Sequence, residues 1–113
     1  MSGLSSHVLD TALGKPAGGV AVQLEVRGDD GVFAPVAVAM TDADGRVRDL
    51  LGGVPLQARS YRITFETAPY FASAGRPVFY PRVVVEFAVM VPGEHHHIPL
   101  LLSPFGYSTY RGT

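Results

Sequence analysis

The sequence predicts an all-β protein: an antiparallel β-sandwich of about eight strands with one short helix, built as a single domain over residues 1–113. Apolar and polar residues alternate along several segments, which is typical of strands that bury one face. Clusters of Asp and Gly separate these segments at intervals of a strand's length. Seven or eight short strands in about 110 residues favour a sandwich, with a barrel as the alternative.

Three segments carry the clearest alternation, and in each of them one set of apolar side chains is expected to face the core. The polar side chains between them, such as Glu25, Arg62 and Glu86, then face solvent or a partner. The expected core sets are Val20, Val22, Leu24 and Val26; Tyr61, Ile63 and Phe65; and Val83, Val85, Phe87, Val89 and Val91.

Two turns and one helix are predicted between the strands. The loop "GDDG" at 28–31 predicts a hairpin, and "TDADGR" at 41–46 predicts a second turn, because Asp and Gly supply the side-chain hydrogen bonds and positive φ angles that turns need. The segment "TAPYFASAG" predicts the helix. Thr67 can cap its N-terminus, Pro69 is tolerated in its first turn, and Gly75 suits its C-terminal cap.

The composition bounds the function. The chain of 113 residues is 17% charged, against about 25% in an average soluble protein, and so few charges favour self-association. A formal net charge of -1 offers no basic field to nucleic acid or an anionic membrane, and the lack of cysteine excludes disulfides and thiol catalysis. We find no secretory signal and no apolar run long enough to span a bilayer, so we expect a cytoplasmic protein.

Three consecutive histidines are the first candidates for chemistry. On a strand, His96 shares one face with Ile98 and Leu100 and is expected to pack in the core, while His95 and His97 project from the opposite face. A His-x-His pair on one face also has the spacing of metal ligands, although no third ligand is clearly placed. Solvated histidines near a turn are the remaining interpretation.

Further candidates are His7, Arg46, Tyr110, Arg111 and the hydroxyl of Thr113. Taken one at a time, each is expected to be a structural or surface residue. Taken together, they supply what the addition of water to a polarised carbonyl requires. Histidine exchanges protons near neutral pH, and arginine presents a planar fork of donors to an electron-rich ring or a developing oxyanion.

Several motifs resemble the transthyretin-like family, and among its members the enzymes that hydrolyse 5-hydroxyisourate. The resemblance runs from "HVLDTALGKPAGGV" through "TDADGR" and "APYFASAG" to "HHHIPLLLSPFGYSTYRGT", which is nearly the whole chain. The last stretch is the specific part. Enzymes of this family typically finish on Tyr-Arg-Gly-Ser, whereas its hormone carriers lack both that ending and the set of histidines.

The resemblance implies a transthyretin-like sandwich assembled as a homotetramer, with active sites in the grooves between two dimers. It implies catalytic roles for His7, Arg46, His97 and Thr113. The implied substrate-binding residues are His7, Arg46, Tyr110, Arg111, Gly112 and Thr113.

The implied reaction is hydrolysis of 5-hydroxyisourate to 2-oxo-4-hydroxy-4-carboxy-5-ureidoimidazoline (OHCU) in urate degradation, with no cofactor and no metal. One or both histidines would activate water, Arg46 would bind the substrate's oxygens, and the hydroxyl of Thr113 would position water or substrate. Tyr110 and Arg111 would fix the chain end in the groove.

Two positions depart from the family pattern, and two other functions stay open. Thr113 replaces the usual serine, which keeps the hydroxyl but adds a methyl group, and His96 replaces the usual tyrosine on the core-facing side. The alternatives are a transthyretin-like carrier of small molecules, which requires an apolar channel, and a metal-binding sandwich that uses His95 and His97.

Overall fold

The computed structural model describes residues 3–113, which form a series of strands joined by loops and one short helix. Alternating burial along the strands, with every second side chain facing inward, produces the strand content that the sequence predicts. The elements are β1 (Gly3–Asp10), β2 (Lys15–Pro16), β3 (Ala21–Arg27), β4 (Phe33–Met40), β5 (Arg46–Val47), β6 (Ser60–Glu66), α1 (Thr67–Ser73), β7 (Val83–Ala88), β8 (His95–Ser103) and β9 (Gly106–Thr109).

The strands form two sheets that pack face to face. The first has the order β2-β1-β8-β9, with β5 also paired to β1, and the second has the order β4-β3-β6-β7. The pairing of β1 with β8 is parallel, whereas the other strand pairs of the described chain are antiparallel. The predicted fold class is confirmed; the parallel pair is a feature that local patterning does not reveal.

The core lies between the sheets and contains most of the predicted apolar sets. Its largest fully buried side chains are Tyr61, Phe65 and Phe71. Strands β3 and β8 contribute further buried apolar side chains to the same core. Burial of this kind is the main favourable term in folding. One predicted core residue is wrong: Val91 is 51% exposed, because β7 ends at Ala88 and the chain turns away from the core.

Both predicted turns are present. The loop at 28–31 joins β3 to β4 as a hairpin, and the turn at 41–46 leads into β5. Gly45 has a φ of 75°, and a Cβ at this position would run into the carbonyl oxygen of Val8. Only glycine therefore allows this turn to lie against β1, which is what brings β5 beside it.

The helix is present, but one of its predicted caps is wrong. The N-cap position is Glu66, and Thr67 is already helical, with its hydroxyl donating to the carbonyl of Tyr80 instead of capping the helix. At the other end the prediction is confirmed. Gly75 has a φ of 65°, and the N–H groups of Gly75 and Arg76 donate to the carbonyls of Ala72 and Phe71, which is the double hydrogen bond of a glycine-terminated helix. Within residues 3–113, no helix has the length and apolar character needed to cross a membrane.

Candidate active site

The parallel pairing of β1 with β8 brings two distant parts of the chain into contact. Gly3 lies opposite His95, and Ser5 lies opposite His97, so the side chains of Ser5 and both histidines share the outer face of the first sheet. His96 points the other way and is 3% exposed, with Nδ1 against the carbonyl of Glu94 at 3.0 Å. Its predicted packing role is confirmed.

The pairing of β1 with β5 adds a second pair on the same outer face. His7 lies directly opposite Arg46. The ring of His7 is tied to the turn before β5, with Nε2 at 2.9 Å from the carbonyl oxygen of Asp44. Asp42 organises this turn by accepting hydrogen bonds from the N–H groups of Arg46 and Asp44, and the first of these is the main reason that the pKa of Asp42 is lowered.

The last residues of the sequence fold back onto His97. The N–H of Gly112 donates to the carbonyl of His97 at 2.8 Å, and this pair forms an isolated antiparallel bridge. A Cβ added to Gly112 would lie 2.5 Å from Cδ2 of the His97 ring. The absence of a side chain at residue 112 therefore lets the backbone approach the imidazole closely and sets Thr113 beside it.

These elements enclose a groove with a volume of about 290 Å³. Its polar lining comes from β1, β5, β8 and the last residue: Ser5, Arg46, Arg48, His95, His97 and Thr113. No Asp or Glu side chain of residues 3–113 lines the groove, and in the same range the guanidinium of Arg46 takes no ion pair. Arg48 makes only long contacts, 4.0 Å to Asp42 and 3.8 Å to Asp44. The groove is therefore positively charged.

The electrostatics of the groove act on His97 in particular. Burial lowers the pKa of His97, and the nearby Arg46, His7 and His95 lower it further, while a hydrogen bond from the ring to the backbone of Ser5 opposes this only in part. A neutral imidazole is the form that can accept a proton. His97 is thus held in its basic form at neutral pH.

The predicted site residues fall into two groups. His97, Arg46 and Thr113 line the groove, His7 lies next to Arg46, and Gly112 packs under the ring of His97. The other two do not line it. Tyr110 and Arg111 border a separate apolar cleft between β7 and β9, together with Met90 and Val91, and Arg111 contacts Glu94 at 3.3 Å.

Four groove residues were not predicted from the sequence as part of the site: Ser5, Ser6, Val47 and Arg48. Ser5 lies two positions before His7 on the same face of β1, and Arg48 lies two positions after Arg46, just past the end of β5, so a period of two could have identified both. His95 was predicted to project from the sheet, as a metal ligand or as a solvated histidine. Within residues 3–113, no cluster of three or more potential metal ligands completes such a site.

Known proteins are similar to this chain in both sequence and fold. A sequence model of the HIUase/Transthyretin family matches residues 4–112. The 5-hydroxyisourate hydrolase of Caulobacter vibrioides is 47% identical over 117 residues, covering 100% of both chains, and that of Salmonella typhimurium is 44% identical over 110 residues, 97% of this chain and 80% of that protein.

Solved structures of two members of this family have the same fold as this chain. The Klebsiella pneumoniae 5-hydroxyisourate hydrolase matches with a TM-score of 0.86 at 40% identity, covering 99% of this chain and 100% of that one. The transthyretin of Sparus aurata matches with a TM-score of 0.92 at 33% identity, covering 99% and 97%. The chain belongs to the HIUase/Transthyretin family. Since its curated relatives over nearly the full length are hydrolases, the prediction of a hydrolase of this family is confirmed.

Proposed function

We propose that this protein hydrolyses 5-hydroxyisourate to OHCU, as a step of urate degradation. The observation that carries the proposal is the convergence of His97, Arg46 and Thr113 on one positively charged groove, with His7 directly beside Arg46. The names of the full-length relatives support the same substrate.

In the proposed reaction, His97 accepts a proton from water as the water oxygen bonds to a carbonyl carbon of the six-membered ring. The ring C–N bond then breaks, the nitrogen takes up a proton, and the new carboxylate is the product. The lowered pKa of His97 supports this role, because the imidazole is neutral and ready to accept the proton at pH 7.

Arg46 binds the substrate's oxygens and stabilises the negative charge that develops when water adds. Its guanidinium takes no ion pair among the described residues, so its donors are available to a ligand. A cation that is already held in position stabilises such a charge without the reorganisation that solvent would need. Arg48, on the same face of the chain, adds to the positive field that attracts an electron-rich ring.

His7 is the second proton-transfer group of the proposal. Nε2 of His7 faces a carbonyl oxygen, which only accepts, so this nitrogen carries the proton and donates to Asp44. Nδ1 is then the nitrogen of His7 that can take a proton. The carbonyl oxygen of Asp44 thus fixes the tautomer of His7, with the proton on Nε2.

Thr113 and the residues before it complete the proposed site. Thr113 lines the groove, and its hydroxyl is proposed to position water or substrate, as the serine of the family pattern would. Gly112 sets its distance from His97. Tyr110 and Arg111 are proposed to anchor this segment from the other side, through the apolar cleft and through Glu94.

We also propose that the protein is a homotetramer whose active sites lie between dimers. Strands β7 and β9 end their sheets, and the cleft between them carries exposed apolar side chains, with Met90 81% and Tyr110 57% exposed. Unpaired edges of this kind are places where a second copy can add its strands. Light scattering would test the tetramer. Location in the cytoplasm and activity without cofactor or metal stay predictions from the sequence.

The deciding experiment follows the ultraviolet absorbance of 5-hydroxyisourate generated in place by urate oxidase, with and without this protein. Decay well above the spontaneous rate, unchanged by a chelator, is the expected result. Decay at the spontaneous rate would overturn the proposed activity. Acceleration that a chelator abolishes would overturn the metal-free mechanism and return His95 and His97 to the role of ligands.

A further inference from the structure

One hydroxyl group connects the two outward-facing histidines of β8. Oγ of Ser5 lies 2.8 Å from Nε2 of His95 and 2.8 Å from Nδ1 of His97. Both contacts follow from the parallel register, which sets Ser5 opposite His97 and Gly3 opposite His95. Because Gly3 has no side chain, the ring of His95 can lie over β1 and reach Ser5.

The chemistry of the hydroxyl limits how this chain of hydrogen bonds can run. A serine hydroxyl donates one hydrogen and accepts from others. If it donates to His97, then Nδ1 is the acceptor and the proton of the ring is on Nε2, which cannot then act as a base. If it accepts from His97, then Nδ1 carries the proton and Nε2 keeps its lone pair.

The surroundings favour the second arrangement. Arg46 acts on the ring of His97 with positive charge, which favours a lone pair over an N–H pointing toward the groove. Among the hydrogen bonds of residues 3–113, Nε2 of His97 takes no protein partner. His95 is the exposed member of the pair and can exchange protons with water.

We propose that Ser5 is a positioning residue, which holds His97 with its proton on Nδ1 and its basic Nε2 toward the groove, and which passes a proton on to His95. The inference rests on the proposed function of this groove. In the resting state, His97 Nδ1–H donates to Ser5, and the Ser5 hydroxyl donates to Nε2 of His95.

The proton transfers balance along this chain. Water gives a proton to Nε2 of His97, the proton on Nδ1 moves to Oγ of Ser5, and the hydroxyl proton of Ser5 moves to Nε2 of His95. The positive charge that forms on His97 is thereby shared with an exposed ring. Reversal of the same steps returns the proton to His97, which can then donate it to the leaving nitrogen. Besides His95, the titratable groups that act on His97 include Arg46 and His7.

The test compares three variants by kcat, KM and pH profile on 5-hydroxyisourate. Ser5→Ala is expected to lower kcat by about tenfold or more with KM changed by no more than about twofold, since proton transfer is lost and substrate binding is not. Ser5→Thr keeps the hydroxyl and is expected to restore most of kcat. His95→Ala should lower kcat less than Ser5→Ala does, because His97 keeps its hydrogen bond to Ser5.

Ser103→Ala is the matched control. Ser103 lies on β8 as well and donates one hydrogen bond, at 3.0 Å, to the carbonyl of Gly106 in a turn outside the groove. Removal of its hydroxyl is expected to leave kcat and its pH dependence unchanged. If Ser5→Ala behaves like Ser103→Ala, the positioning role is overturned.

A measurement that needs no substrate separates this proposal from the proposed activity. Long-range proton–nitrogen NMR spectra report which nitrogen of each imidazole carries the proton. We expect Nδ1–H for His97 in the unmodified protein and a shift toward Nε2–H in Ser5→Ala. Nε2–H in the unmodified protein would overturn the positioning role even if the enzyme is active. The expected tautomer without hydrolysis would overturn the proposed activity alone.

Discussion

The outer faces of the two sheets carry arginines in opposite electrostatic settings. On the second sheet, Arg62 forms a bidentate pair with Glu25 at 2.9 and 3.1 Å and also lies 4.1 Å above the ring of Phe33. Arg82 pairs with Glu66 at 2.6 to 2.8 Å. On the first sheet, Arg46 has no ion pair within the described chain and faces the groove with histidines around it.

The titration behaviour follows the same division. Hydrogen bonds from Arg82 lower the pKa of Glu66, and a hydrogen bond to Glu25 raises the pKa of Arg62, so the charges of these two pairs are stabilised by their neighbours. In the groove, burial and like charges lower the pKa of His97. The paired charges of the second sheet support the fold, while the groove charges that lack an internal partner mark the surface that binds a ligand.

Removal of the base from the groove is expected to have the largest effect on activity. His97→Gln keeps a polar side chain of similar reach but cannot exchange protons, so kcat is expected to fall by about 10² to 10⁴. The absorbance assay on 5-hydroxyisourate measures the change. Arg82→Gln, on the other sheet, is the control and should stay near the unmodified rate. A loss of less than about tenfold in His97→Gln would move the role of base to another residue.

The next effect tests the close approach of the chain end to His97. In Gly112→Ala, the new Cβ would meet Cδ2 of His97 at 2.5 Å and the ring must move. Displacement of a catalytic group by about 1 Å is expected to lower kcat by about a hundredfold. Gly93→Ala is the matched control, because a Cβ at residue 93 meets no atom within 4 Å. Equal activity in both variants would contradict the role of Gly112.

Arg46→Lys keeps the positive charge of the groove but removes the planar pair of donors. We expect kcat/KM to fall by about ten- to a hundredfold, because a lysine cannot hold two oxygens in the geometry of a guanidinium. Arg62→Lys makes the same exchange on the second sheet and should leave kcat/KM unchanged. If neither exchange changes kcat/KM, then residue 46 contributes to the reaction only through its positive charge and not through the geometry of its donors.

Much of the groove could be predicted because the side of the sheet that a residue faces depends only on its position along its own strand. The alternation along β1 assigns Leu4 and Val8 to the core and His7 to the outer face, and the alternation along β8 assigns His96 inward and His97 outward. The turn before β5 is equally local, since Asp and Gly at fixed spacing specify its geometry. The family resemblance added the choice of which outward residues act together.

The contacts between distant segments could not be predicted from parity. The hydrogen bond between Ser5 and His95 spans 90 positions of sequence, and it depends on the parallel register of β1 with β8. Thr67 shows the same limit in the opposite direction. Its local pattern predicts a cap, but its hydroxyl donates to the carbonyl of Tyr80 on the loop before β7, so a tertiary contact replaces the local one.

A third kind of charge pair is buried at the end of β1, the strand that also carries Ser5. Asp10 is fully buried and accepts hydrogen bonds from Arg76 and Tyr70. Burial opposes its ionisation, but these bonds outweigh burial and hold the pKa of Asp10 at about 2, below the usual 3.8. A shift of this size corresponds to about 2.5 kcal/mol of stability.

This stability has a defined pH dependence. Because the pKa of Asp10 is lowered by folding, the unfolded chain takes up the proton first, and the stabilisation present above pH 4 is lost as the pH falls toward 2. Urea unfolding between pH 7 and pH 2 should show this loss in the unmodified protein and a smaller pH dependence in Asp10→Asn. Asp29→Asn, on an exposed ion pair with Arg59, is the control and should retain the full acid dependence of Asp10.

The smallest effect is expected where the comparison began, at the paired arginines of the second sheet. The side chain of Arg82 is 61% exposed, and an exposed ion pair contributes only about 0 to 1 kcal/mol, because water already solvates both charges. Arg82→Gln should therefore lower the free energy of unfolding by less than about 1 kcal/mol in urea denaturation, and the loss should shrink in high salt. Hydrolysis should continue at the unmodified rate. A marked loss of activity in Arg82→Gln would show that the balanced face also contributes to the reaction, and the division between the two sheets would then fail.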